Sequence, residues 1–152
     1  MARSPKPPPI STLALASASE VEQQFYAALR SADLQALMAL WADDEDIICV
    51  HPGGQRVIGP EAVRASFEAI FSGGPIDIHP ENVRRFEAPA YAVHSVLERV
   101  QVREAKGAET GWVVATNAYA ETLVGWRIVA HHASPGMRNQ PQDGADPAAV
   151  LH

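Results

Sequence analysis

The hydrophobic period of this chain changes once, at Ser72-Gly73-Gly74-Pro75, and that change limits the architectures open to it. Before it, apolar residues recur at helical spacing: Val21, Phe25, Ala28 and Leu29, then Leu34, Leu37, Met38 and Trp41, then Val63, Phe67, Ile70 and Phe71. Each set forms one apolar stripe that must be buried against another element. After it, strands are predicted near 76–87, 91–104, 111–123 and 125–134, divided by Ala88-Pro89, Lys106-Gly107 and a tight turn around Val124-Gly125. Helices first and an antiparallel meander afterwards predict an α+β fold.

Local signals set the boundaries. Ser19-Glu20-Val21-Glu22 reads as a capping box opening the first helix, with Glu22 reaching back to the cap. Asp33 is placed to cap a second, short helix. Asp43-Asp44-Glu45-Asp46 is an acidic turn, and Ile47-Ile48-Cys49-Val50 a strand closed by His51-Pro52-Gly53-Gly54. Gly59-Pro60 starts the third helix, with proline at its first position, where the missing N–H costs nothing. One domain over 18–136 is expected, between flexible tails at 1–17 and 137–152 that are rich in Pro, Ser, Ala and Gly.

Composition excludes several functions. With 12 Lys and Arg against 18 Asp and Glu, the chain has no basic stripe for displacing counterions, so nucleic acid is not an expected partner. No run approaches the ~20 apolar residues of a membrane helix, and no membrane association is expected. The apolar part after Pro7-Pro8-Pro9 is too short and too interrupted for a signal peptide, and the single Cys49 in an apolar run suits a buried, reduced thiol. A cytoplasmic location is expected.

Polar residues inside apolar strands are the candidates for chemistry. His131 and His132 are adjacent on a strand, so only one of them can face inward. Counting by twos, His131 shares a side with Val129 and Arg127, and His132 with Ile128 and Trp126; a bulge would reverse the assignment. His51 ends a strand before a Pro-Gly-Gly loop, and a histidine poised near neutrality suits proton transfer. Asn117 shares a face with Val113, Ala115 and Tyr119, where a buried amide needs partners. Glu98 can pair with Arg127 or orient a histidine. Trp41, Tyr119, Phe67 and Phe71 are expected to be cavity wall or core. No His-x-x-x-His spacing occurs; a His51–His131–Glu98 set is geometrically conceivable, but no metal and no cofactor are expected. Phosphate-loop and calcium-loop patterns are missing as well.

The stretches Ala39-Leu40-Trp41-Ala42-Asp43-Asp44, Val50-His51-Pro52-Gly53-Gly54, Val57-Ile58-Gly59, Ala115-Thr116-Asn117-Ala118-Tyr119 and Gly125 to Ser134 resemble, in this order, the SnoaL-like branch of the superfamily containing nuclear transport factor two and ketosteroid isomerase. The resemblance covers residues 19–136. It implies a cone-shaped curved antiparallel/mixed sheet wrapped over three N-terminal helices, a cystatin-like α+β roll, usually a homodimer. In the isomerases an aspartate before a proline is the general base, and His51 before Pro52 occupies that place. Their first-helix tyrosine matches Phe25 here, which argues against a steroid isomerase of the usual kind. By comparison with the association domain of calcium/calmodulin-dependent kinase, His131 is the inward histidine; two pocket arginines of that domain match Glu98 and Asn117, so its carboxylate binding does not transfer.

The functional expectation is a pocket for a small, partly apolar molecule. His51, Asn117 and His131 are the candidate catalytic residues, His51 as acid or base and the other two hydrogen-bonding the developing charge. Trp41, Glu98, Tyr119, Arg127 and His132 are the candidate ligand-binding residues. The reaction class would be cofactor-independent, isomerase- or lyase-like proton transfer. A non-catalytic binding module and an assembly domain stay open beside it.

Overall fold

Ser17, not Ser19, opens the first helix. In this computed structural model, which describes residues 15–141, Ser17 is extended (φ −157°) and its Oγ accepts from the Glu20 N–H at 3.1 Å. Glu20 Oε2 in turn accepts from the Ala16 N–H at 3.0 Å. The overlapping Ser-x-x-Glu pair two residues earlier therefore makes the cap, and Glu22 is drawn into the interior instead. Helix α1 (Ala18–Ser31) ends at Ala32, whose left-handed backbone (φ 51°) turns its N–H onto the carbonyls of Ala28 and Leu29. Asp33 Oδ1 accepts from Ala36 N–H at 3.0 Å and caps α2 (Leu34–Ala39), as its position predicts. Residues 1–14 and 142–152, which hold most of the two expected tails, lie outside the described residues.

Two short strands follow, β1 (Ile48–Val50) and β2 (Arg56–Ile58), then helix α3 (Pro60–Phe71) with proline at its start. The sequence reading has no β2. The four long strands are β3 (Asp77–Glu87), β4 (Tyr91–Glu104), β5 (Gly107–Thr122) and β6 (Gly125–Pro135). They form one six-stranded sheet in the order β2-β1-β6-β5-β4-β3. The β1–β6 pairing is parallel and the others are antiparallel, so the sheet is mixed. Register shifts between Glu81 and Arg84 and between Ala118 and Tyr119 help to curve it.

The helices fill the concave face. Val21, Phe25 and Leu29 of α1, Leu37 of α2, and Val63 and Phe67 of α3 pack against Val96, Tyr119 and Ile128 of the sheet. Leu15 joins this core ahead of the helix. It bridges to Gly125, and its carbonyl accepts from Trp126 N–H at 2.9 Å. Glycine is required there: a Cβ on Gly125, already at φ 105°, would stand 3.0 Å from the Leu15 carbonyl oxygen. The result is an α+β roll: three N-terminal helices under a curved, open sheet.

Strand alternation puts Ala92, His94, Val96 and Glu98 of β4 on the buried face, with Ala115, Asn117 and Tyr119 of β5. On β6, Tyr119 pairs with Ile128 but Ala118 pairs with Ala130, leaving Val129 as the extra residue of a bulge. Counting by twos fails across it. His131 shares its face with Ile128, not with Val129 and Arg127, and is buried, while His132 is exposed on the opposite face.

Candidate functional site

Four polar side chains between α1 and the concave face of the sheet are joined into one chain of hydrogen bonds. Tyr26 of α1 donates its hydroxyl hydrogen to Glu98 Oε2 at 2.7 Å. Asn117 Nδ2 donates to the Tyr26 hydroxyl at 3.1 Å. The other end of the amide, Oδ1, lies 2.5 Å from His131 Nδ1 and accepts its hydrogen. Because the amide has one acceptor end and one donor end, this chain has a direction, and it fixes the tautomer of His131. Nδ1 carries the hydrogen and Nε2 is a bare lone pair. Burial first, then repulsion from His51 and His132, pushes the His131 imidazole down to about 3, so it is neutral.

The two ends of this chain, Glu98 and His131, border a cavity of about 180 Å³. Its walls are Leu29 of α1, Phe67 and Ile70 of α3, and Ile78, Val100 and Val113 of the sheet. Glu98, His131 and His51 are the lining residues with ionisable side chains. Burial pushes the Glu98 carboxyl up to about 7, with the Tyr26 hydrogen bond pulling the other way. Tyr26 is itself driven well above its ordinary value by burial and by the adjacent carboxylate.

His51 sits at the end of β1, against the edge of the Phe67 ring, their centroids 4.7 Å apart. Ser66 Oγ donates its hydrogen to the Val63 carbonyl at 2.7 Å. It can therefore only accept from His51 Nε2, at 2.9 Å, which leaves the His51 Nδ1 lone pair free of a proton. Burial lowers the pKa of this imidazole too. Its centroid is 6.3 Å from that of His131. Cys49, 3.6 Å from His51 Nε2, is an inert neighbour, because burial pushes its thiol up to about 12.

The structure brings some of the expected site residues together and separates others. His51, Glu98 and His131 share the cavity. Asn117 is not among the residues that line it; its amide is committed to Tyr26 and His131. His131, neutral and with its one N–H committed to Asn117, presents an acceptor there and not the expected donor. Trp41 and Tyr119 are core residues, packed on Phe67 and His94 respectively. Arg127 is buried beside Gly125 with Nη1 donating to the Trp126 carbonyl at 2.8 Å, away from Glu98. His132 is on the outer face. Among the described residues no three His, Cys, Asp or Glu side chains converge as a metal-holding group.

Two polar groups escaped the sequence reading. One is Tyr26, which supplies from the next helical position the hydroxyl that Phe25 lacks; Phe25 packs on His131 instead, centroids 5.3 Å apart. The other is a second buried cluster in which Glu22 accepts from His94 Nδ1 at 3.0 Å and from Arg85 Nη2 at 2.8 Å. Burial alone would raise the Glu22 carboxyl, but these two partners outweigh it and leave it below its ordinary value. The available signal was Glu22 and Tyr26 at i and i+4, two polar residues alongside an apolar stripe.

The fold and site together describe a pocket-bearing α+β roll. Residues 19–138 match the SnoaL-like domain, and the chain belongs to that family. Among solved structures, a candidate calcium/calmodulin-dependent protein kinase type II association domain from Thiobacillus denitrificans is 28% identical, with a TM-score of 0.74 over 82% of this chain and 98% of that one. A candidate dehydratase of the NTF2-like family from Streptomyces avermitilis is 26% identical, with a TM-score of 0.69 over 78% and 94%. An uncharacterised protein with a cystatin-like fold from Caulobacter vibrioides, 14% identical, has a TM-score of 0.69 over 87% and 94% and supports the fold. No curated protein matches the chain. Among the described residues no helix is long and apolar enough to cross a membrane.

Proposed function

We propose that the cavity binds a small, largely hydrocarbon molecule and carries out cofactor-independent proton transfer on it. Glu98, titrating near 7 in an apolar wall, serves as acid or base, His51 serves as a second base, and the His131 lone pair accepts a hydrogen bond from the bound molecule. Tyr26 and Asn117 are positioning residues. The observation that carries this reading is the convergence of one shifted carboxyl and two neutral imidazoles on a single apolar cavity. A relative named as a candidate dehydratase, whose chemistry also moves protons, is consistent with it. The test is hydrogen–deuterium exchange at carbon in D2O, followed by NMR, over ring-sized ketones, alcohols and amines. Exchange that falls by about 10²-fold or more in Glu98→Gln, His51→Gln or His131→Gln supports proton transfer. Exchange unchanged in all three removes it.

A non-catalytic carrier is the second reading. It is favoured by one observation: the neutral imidazoles present acceptors only, and the side chains of the described lining residues form no donor set resembling an oxyanion hole. A compound that stays bound through native purification without conversion would decide for it. Assembly as a cytoplasmic homodimer belongs to the same proposal, supported by the association-domain relative and by exposed Phe86, Tyr91 and Val93 at the outer strands. A monomer in light scattering at micromolar concentration would count against the homodimer.

A further inference from the structure

The polarity of the cavity narrows the ligand further than its size does. A cavity of roughly 150 Å³ lined by aliphatic and aromatic side chains holds a benzene ring, so about 180 Å³ accommodates a six-membered ring and a short substituent. What that substituent must be follows from the hydrogens already committed. Glu98 is 3% exposed, its Oε2 is taken by Tyr26, and its Oε1 has no partner among the described residues. His131 offers the Nε2 lone pair, because its hydrogen goes to Asn117. His51 offers the Nδ1 lone pair, because its hydrogen goes to Ser66. Among the described residues no lysine or arginine lines the cavity, and none of the ion pairs involves Glu98. Three lining residues with an uncommitted acceptor, one of them a buried carboxyl with no cation beside it among the described residues, therefore border an apolar space.

An ionised carboxyl taken out of water is costly unless a cation joins it. We infer that the ligand supplies this cation: the cavity is a site for a small primary ammonium on a hydrocarbon body, its head group donating to Glu98 Oε1 and His131 Nε2 beside His51. Three N–H donors on one nitrogen suit three acceptors, whereas a ligand carboxylate would meet only lone pairs and negative charge. A neutral alcohol has one donor and leaves the carboxylate uncompensated. The inference rests on the pocket reading above and does not depend on whether the pocket is catalytic.

The probes are benzylamine, benzyl alcohol and benzoate, which share a ring and differ in the charge of the head group. Titration calorimetry at about pH 8, where the Glu98 carboxylate is ionised and an alkylamine stays protonated, separates them. Benzylamine should bind about tenfold or more tighter than benzyl alcohol, the worth of a charge-assisted hydrogen bond, and benzoate should bind weakest. In Glu98→Gln, which keeps an acceptor for Tyr26, benzylamine should weaken to the level of the alcohol while the alcohol holds. Tyr26→Phe, checked for folding by circular dichroism, should shrink the preference for the amine at this pH, since Glu98 loses the donor that favours its ionised form. Benzyl alcohol or benzoate binding the wild-type chain as tightly as benzylamine overturns the ammonium assignment alone. Binding of none of the three overturns the pocket reading and this inference together.

Discussion

Tyr26 and Glu98, 72 positions apart, share one hydrogen at 2.7 Å in the floor of the cavity. The hydroxyl comes from helix α1 and the carboxyl from strand β4, so this bond ties the two layers together. It also keeps a buried carboxyl usable. Burial raises the Glu98 carboxyl, the phenol favours the ionised form and pulls the other way, and the group stands at about 7. Removing the hydroxyl in Tyr26→Phe should raise the Glu98 pKa further and leave the Asn117 amide without its acceptor. Destabilisation of about 1–3 kcal/mol in urea unfolding, as for an unsatisfied buried partner, is expected.

Glu98 also predicts how stability varies with pH. Its folded pKa, about 7, lies above the ordinary carboxylate value of 4.5. The folded state therefore holds the proton more tightly, and the associated stability is complete below 4.5 and is lost as pH rises through 7. The loss is roughly 3 kcal/mol, at about 1.4 kcal/mol for each tenfold. Relative to Glu98→Gln, the wild-type chain should be more stable in acid and less stable above neutrality. A difference that does not vary between these limits would show that the carboxyl is not buried as described.

His131 has the opposite sign. Its pKa is depressed from 6.5 to about 3 by burial, so the folded state binds fewer protons than the unfolded chain. Its contribution is present above 6.5 and fades as pH falls toward 3. The two slopes oppose each other between 4.5 and 6.5, and the wild-type profile should be flatter there than that of either Glu98→Gln or His131→Gln. Nitrogen-15 shifts of the imidazole give a direct check: His131 should be the Nδ1–H tautomer and should not titrate between about pH 5 and 8. Appearance of the Nε2–H form would break the hydrogen-bond chain at Asn117.

The elements that the sequence revealed are those whose signal is local and long. Three apolar stripes and four alternating strands are visible because burial repeats every 3.6 or every 2 residues over many positions. Strand β2 is three residues long behind two glycines, too short for a period to show. The bulge at Val129 adds one residue and shifts every later side chain of β6, which counting cannot detect; His131 was placed by resemblance, not by parity. Tyr26 was overlooked for a different reason. Its partners are on β4 and β5, so nothing within its own helix distinguishes it from a core aromatic. Glu22 fits the pattern of a capping box, and only its contacts with His94 and Arg85 show that it is an interior anchor.

The two overlapping Ser-x-x-Glu pairs can be separated by mutation. Ser17→Ala should cost about 1 kcal/mol through loss of the bond to the Glu20 N–H. Ser19→Ala, inside the first turn and without a capping bond, should be neutral or slightly stabilising because alanine is the better helix former. Equal costs for the two in chemical denaturation would contradict the position of the cap. The difference also bears on the site, since the cap lies next to Leu15, which holds Gly125 and thereby the start of β6.

Phe67 connects core and cavity. It is buried, packs edge-on to Phe25 and His51 with centroids at 6.3 and 4.7 Å, and also touches Trp41 and Phe71. Truncation in Phe67→Ala removes the wall against which His51 is held and opens space between α3 and the sheet. The expected cost is about 3–5 kcal/mol, the sum of lost transfer energy and unfilled cavity. Phe67→Leu should cost less, because a branched side chain refills part of the space. Ligand size should respond in the same direction: benzylamine should weaken in Phe67→Leu and recover when its ring carries one added methyl group, because the gap left by the phenyl ring lies along the cavity wall. If stability falls while the size preference does not change, Phe67 is core alone, and the cavity ends short of α3.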